Sequence, residues 1–229
     1  MRGVFVTGTD TGVGKTFAST ALICALRARG LRVFPFKPVA AGAVRAGDRW
    51  INEDTQALLA AAGLDEASSA LVTPVLLREP MAPHIAARRE GVAIDLRALH
   101  AAWLRGAAGS DVSVVEGVGG FCVPLDERHT TVDLARMLSL PVLLVVGMRL
   151  GCLNHALLTA QAVEAAGLTL AGWIANELDC AMNGLDENVA TLESALAAPL
   201  LGRLPWSPHA TPATLAQSID GRALLEATR

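Results

Sequence analysis

Val4-Phe5-Val6-Thr7-Gly8-Thr9-Asp10-Thr11-Gly12-Val13-Gly14-Lys15-Thr16 joins a short apolar run to a glycine-rich turn and a Gly-Lys-Thr step, and a helical pattern follows at once. That is the order of a strand, a phosphate-binding loop and a helix. Backbone N–H groups of such a loop converge on phosphate oxygens. Its lysine reaches the outer phosphates, and its threonine hydroxyl can ligate Mg2+. The spacing departs from the common pattern by one residue. The first glycine is Gly8, and position 9, where the pattern would put it, holds Thr9.

Outward from this stretch, strands and helices alternate. Strands are predicted at Gly3–Thr7, Arg32–Phe36, Val112–Val115, Pro141–Gly147, Leu170–Asn176 and Leu200–Leu204. Helices are predicted at Thr16–Arg29 (stopped by Gly30), Asp54–Ala62 (closed by Gly63), Asp95–Ala108, Thr131–Ser139, Asn154–Ala166 and Glu187–Ala197, with a short one after the Pro80–Pro83 turn. Val39–Asn52 reads as a long loop. Continuous Val, Leu and Ile runs between helices predict a single-domain, P-loop-like α/β fold over 1–229: a mostly parallel central sheet with helices on both faces. Ligands of such sheets bind beyond the carboxyl ends of the strands. Lys15, Thr16, Lys37, Glu116 and Asn176 all fall just after a predicted strand.

The 229 residues carry 19 Lys plus Arg and 22 Asp plus Glu, a net charge of -3. The basic residues are scattered, so no nucleic-acid surface is expected. No apolar run reaches the length of about 18 residues that spans a membrane, and a strand begins too near the amino terminus for a signal peptide. A cytoplasmic enzyme is expected, with Cys24, Cys122, Cys152 and Cys180 as reduced thiols: no Cys-x-x-Cys occurs.

Each candidate has a plainer alternative. Lys37 is either a solvated lysine at a strand end or a second cation beside the phosphates. Asp54 either complements a helix dipole or ligates Mg2+. Glu116 precedes three glycines in four residues, the placement of an acid that helps hold Mg2+ in P-loop enzymes. His84, His129 and His155 are isolated and read as structural.

Taken with Phe36–Gly42, Pro80–His84, Val115–Gly120, Leu150–His155 and Leu170–Asn176, the opening stretch closely resembles the dethiobiotin synthetases, which act in biotin synthesis. The resemblance implies closure of a cyclic urea on 7,8-diaminononanoate, with CO2 and ATP as co-substrates and Mg2+ as cofactor. One amine captures CO2 as a carbamate, the carbamate takes the γ-phosphoryl group, and the second amine closes the ring. It implies Lys37, Lys15 and Thr11 as catalytic residues, and Thr16, Asp54 and Glu116 as metal ligands. ATP would lie on Gly12, Val13, Gly14, Lys15, Thr16, Phe17, Asp54, Glu116, Gly117, Val118, Gly119, Asn176, Glu177, Pro205, Trp206 and Ser207. The diamine would lie on Ala41 and, across a homodimer interface, on Gly151, Cys152, Leu153 and Asn154. Two features depart from the pattern. Some members carry Ser where this chain has Ala41, and some have a Tyr near the substrate carboxylate, whereas this chain has none; its matching region is Asp186–Ala190.

Two rivals share the phosphate loop. A cobyrinate-type amidotransferase would need a further glutaminase domain. A MinD- or ParA-like ATPase would carry a lysine early in the loop, where Thr9-Asp10-Thr11-Gly12 stands.

Overall fold

In the computed structural model, which describes residues 2–178 and 182–228, β1 (Gly3–Gly8) runs through the middle of the molecule with all six residues buried. The phosphate loop leaves its carboxyl end and enters α1 (Lys15–Arg27). The chain continues through β2 (Val33–Phe36), β3 (Val39–Ala41), β4 (Val44–Ala46), β5 (Arg49–Ile51), α2 (Glu53–Ala62), α3 (Ser69–Val72) and β6 (Val75–Leu77). After α4 (Pro83–Glu90) and α5 (Leu96–Gly106) come β7 (Val112–Glu116), α6 (Thr131–Leu138), β8 (Val142–Met148), α7 (Cys152–Ala165) and β9 (Leu170–Glu177). The last elements are α8 (Leu185–Ala195), β10 (Leu200–Leu204), α9 (Pro212–Leu215) and α10 (Gly221–Ala227).

The central sheet has the strand order β10-β9-β8-β1-β7-β2, and every neighbouring pair in it is parallel. The register sets Val6 beside both Glu116 and Leu143. The carboxyl ends of β1, β7 and β8 therefore lie at one edge, with the phosphate loop between the other two.

Successive side chains of each strand feed opposite cores. Phe5 and Val115 pack with Phe36, Leu99, Trp103 and Leu134 on one face. Val4, Val6, Val114 and Val145 pack with Leu22, Ile23, Leu26 and Leu58 on the other. Leu144, Val146 and Trp173 bury against Ala156, Val189 and Leu192 of α7 and α8. Each fully buried Leu, Ile or Phe side chain contributes about 1.5–3 kcal/mol, so the sheet is a stiff platform for the loops at its carboxyl edge.

Three readings of the sequence need correction. Val39–Asn52 is not a plain loop. It holds β3, which pairs with β6 in a separate two-stranded parallel sheet, and the β4–β5 hairpin. The hairpin signal is present in Val44-Arg45-Ala46-Gly47-Asp48-Arg49-Trp50-Ile51, two short runs about a Gly-Asp turn with Gly47 at φ 62°. The first helix ends at Arg27 rather than Arg29, and Gly30 instead closes the following turn, its N–H donating to the Arg27 carbonyl at 2.9 Å. The carboxyl-terminal helices α9 and α10 were not foreseen, although Thr211-Pro212 and Asp220 are ordinary helix starts and cap them.

Candidate active site

The phosphate loop is shaped by contacts on both sides. Thr9 N donates to the Val145 carbonyl at 3.1 Å, and Asn176 Nδ2 donates to the Val13 carbonyl at 3.0 Å. Gly14 sits at φ 82° as the N-cap of α1, and a Cβ there would meet Asn176 Nδ2 at 2.1 Å. Only glycine combines that backbone with that contact. Asn176, at the end of β9, is thus placed under the loop, with its amide group against the backbone.

Lys15 is nearly buried, and its ammonium donates to the Asp10 carbonyl at 3.0 Å. Burial and, secondarily, the neighbouring Lys37 charge push its pKa down to about 8. The unfolded chain therefore holds more protons between about pH 8 and the ordinary lysine range, and this site favours folding increasingly as pH rises through that window. An incoming polyphosphate reverses the balance by holding the proton on. ATP binding at about pH 8.5 is expected to take up part of a proton, seen calorimetrically as a dependence on buffer ionisation enthalpy, and Lys15→Met should abolish that uptake. Equal uptake by the variant would place the proton elsewhere.

Around Lys37 three elements meet. Lys37 follows β2, Glu116 ends β7 and Asp54 lies in the first turn of α2, which is capped by Asn52 Oδ1 accepting from Thr55 N. The Lys37 side chain is only 3% exposed, and its ammonium lies 2.5 Å from Glu116 Oε1 and 3.1 Å from Asp54 Oδ2. Burial alone would discharge it, but the Glu116 and Asp54 carboxylates outweigh burial and hold its pKa above the ordinary range. Burial pushes the Asp54 carboxyl up, yet Lys37 and the Thr16 hydroxyl bring it below its ordinary value. Lys37 is not a solvated strand-end lysine.

Thr16 Oγ1 lies 2.8 Å from Asp54 Oδ1 and 2.8 Å from Glu116 Oε1. A hydroxyl has one proton, so it can satisfy only one of the two carboxylates. Glu116 Oε2 is buried without a partner. Hard oxygen atoms with unspent acceptor capacity suit Mg2+. Among the described residues no group of three or more His, Cys, Asp or Glu could hold a metal. A cation here would thus depend on Thr16 and on phosphate and water oxygens as well, which is how Mg2+ is usually held in nucleotide sites.

These groups line one cavity of about 810 Å3. Thr11, Gly12, Gly14, Lys15, Thr16, Lys37, Asp54, Glu116 and Gly119 form its polar side, and Ala41, Pro80, Met81, Pro83, Val118 and Val123 an apolar one. The other predicted site residues stand outside it. Glu177, at the end of β9, accepts from Arg203 Nε at 2.8 Å and from Trp206 N at 3.3 Å, which ties the Pro205–Ser207 segment to the sheet. Gly151 is the N-cap of α7, so Cys152, Leu153 and Asn154 form its first turn; Cys152 N donates to the Arg149 carbonyl at 3.0 Å, and a first turn leaves its other N–H groups without intrahelical acceptors. Cys24, Cys122 and Cys152 are free thiols; Cys180 lies outside the described residues.

The AAA domain family matches residues 2–214. The ATP-dependent dethiobiotin synthetase BioD of Aromatoleum aromaticum is 52% identical over 95% of this chain and 96% of its own length. The chain belongs to the dethiobiotin synthetase family. Solved structures with the same fold include MinD in the MinC:MinD cell division complex of Aquifex aeolicus, at a TM-score of 0.58 and 16% identity, covering 100% of this chain and 94% of that one. MinD of Pyrococcus horikoshii with Mg-ADP gives 0.56 and 19%, covering 99% and 94%. A ParA family ATPase of Chlorobium tepidum gives 0.57 and 15%, covering 99% and 96%. At such identities the likeness is one of fold.

Two features beside the expected residues stand out, one lining the cavity and one next to the phosphate loop. The apolar wall of Pro80, Met81, Ala82, Pro83 and Val123 had its signal in the Pro-Met-Ala-Pro turn. The ion pair of Arg149 with Asp10, 2.5 Å between Nη2 and Oδ2, had none, because it joins positions 139 residues apart.

Proposed function

We propose that the chain works as one synthetase domain that closes a cyclic urea on 7,8-diaminononanoate at the expense of ATP. The observation that carries this reading is the convergence of Lys15, Lys37, Thr16, Asp54 and Glu116 on a cavity whose other wall is apolar. The polar half fits a triphosphate, and the apolar half fits a carbon chain bearing two adjacent amines. A carbamate is an anion and must approach an anionic triphosphate. Lys15 and Lys37 offset that repulsion and the charge that develops as the phosphoryl group transfers. The loop amides of Gly12 to Phe17 hold the phosphates, and Thr11, on the loop beside them, orients the carbamate. Thr16, Asp54 and Glu116 would hold Mg2+, which when bound supplies further positive charge at the phosphates.

The chemistry balances. A carbamate oxygen forms a bond to the γ-phosphorus as the bond to the ADP oxygen breaks. The second amine then attacks the carbamoyl carbon, and phosphate leaves with that carbamate oxygen. The adenine falls to Asn176, Glu177 and Pro205–Ser207. The substrate carboxylate falls to the Gly151–Asn154 segment of a second copy of the chain. No helix among the described residues is long and apolar enough to cross a membrane, and we place the enzyme in the cytoplasm.

ATP turnover should require both the diamine and CO2, with one ADP formed per diamine consumed. The assay is ADP release with each omitted in turn. Full ATP turnover without the diamine would return the chain to the MinD- or ParA-like ATPase reading.

A further inference from the structure

An acidic residue in a phosphate-binding loop works against the loop's purpose, and this loop has one. Asp10 lies between Gly8 and the amides of Gly12 to Lys15. Its carboxylate is turned to two partners. Oδ1 accepts from Thr11 N at 2.7 Å, and Oδ2 receives Arg149 Nη2 at 2.5 Å. Its carbonyl receives the Lys15 ammonium at 3.0 Å. Arg149 follows β8 directly, and its own carbonyl accepts from Cys152 N at 3.0 Å. The guanidinium is therefore based on the rigid central sheet rather than on a free loop.

We propose that Arg149 is a positioning residue for ATP binding: it neutralises Asp10 and holds that carboxylate against β8, so that the field at the phosphates is set by Lys15, Lys37 and the loop amides. The pair is about half exposed on both sides, and such pairs add little to stability. Its use is local. Without Arg149, an unpaired negative charge stands beside a triphosphate, and the carbonyl that fixes Lys15 loses its anchor. The inference rests on the amides of Gly12 to Phe17 being the triphosphate cradle.

The test is a double-mutant cycle read by ATP affinity and by kcat/KM for ATP, with thermal unfolding alongside. Arg149→Met should weaken ATP binding by about tenfold with the melting temperature nearly unchanged, and Arg149→Lys should recover much of the loss. Asp10→Asn keeps the acceptor for Thr11 N and removes the charge, so alone it should change binding by less than about threefold. Added to Arg149→Met, it should restore affinity to within about threefold of the parent. Failure of Asp10→Asn to rescue would mean that Arg149 acts on the nucleotide directly, and an unchanged Arg149→Met would make the pair a surface contact; either overturns the proposal. Lys15→Met is the control for the cradle itself. If that variant binds ATP normally, it is the reading of the loop that falls.

Discussion

Lys37→Met is expected to lower kcat by about 10²- to 10³-fold while ATP affinity changes far less. That is the scale for removal of one preorganised charge from a site where charge develops in the transition state. Lys15 donates to the Asp10 carbonyl of the loop and, on the function proposed above, meets the phosphates, whereas Lys37 follows a different strand and lines the cavity beside Glu116 and Asp54. Its loss should therefore appear in kcat more than in binding. The same variant should also be less stable by about 3–5 kcal/mol, because Glu116 and Asp54 are left as neighbouring carboxylates without their cation. Steady-state kinetics at saturating substrates and denaturant unfolding would measure the two effects separately. Added Mg2+ should recover stability in the variant more than in the parent, since a second cation can take up the same carboxylates. A kcat within a few-fold of the parent would remove Lys37 from the chemistry.

Glu116→Ala should be strongly destabilising, on the same scale as Lys37→Met. The Glu116 side chain is fully buried, and its Oε1 is shared by Lys37 and Thr16. Deleting it leaves the Lys37 ammonium buried with only the part-exposed Asp54 as a carboxylate partner, a change that costs about 3–5 kcal/mol. Glu116→Gln separates structure from chemistry. The amide keeps the shape and an acceptor for Thr16, so most stability should survive, while the charge that would hold Mg2+ is gone. Turnover should then fall by about 10²-fold or more at ordinary Mg2+ concentrations, with partial recovery as Mg2+ is raised. Chemical denaturation and a Mg2+ titration of the rate check both halves. An active Glu116→Gln variant with unaltered Mg2+ dependence would show that Glu116 serves the fold alone.

The central sheet was legible because its strands are continuous Val, Leu and Ile runs bounded by glycines, and the helices between them carry ordinary stop signals such as Gly63 at φ 68°. Short elements escaped for a physical reason. The strands β3 and β6 have three residues each, too few for a period to show, and they exist because they pair with one another. In the site, residues fixed by strand ends could be read in advance: Lys37 after β2 and Glu116 at the end of β7. What could not be read was their mutual pairing. That Lys37 sits between two carboxylates follows from the order β1-β7-β2, which places the ends of β2 and β7 side by side, and no local pattern records that order. The Asp10–Arg149 pair is hidden in the same way, by β1 and β8 being neighbours.

The most direct measurement follows oxygen. A single turnover with MgATP, 7,8-diaminononanoate and oxygen-labelled CO2, faster than the label exchanges with water, should give a product heavier than the diamine by one carbon and one oxygen and lighter by two hydrogens. One labelled oxygen should appear in each phosphate released, because the carbamate oxygen that took the phosphoryl group leaves with it. Unlabelled phosphate, or ADP formed without the cyclic product, would contradict the account.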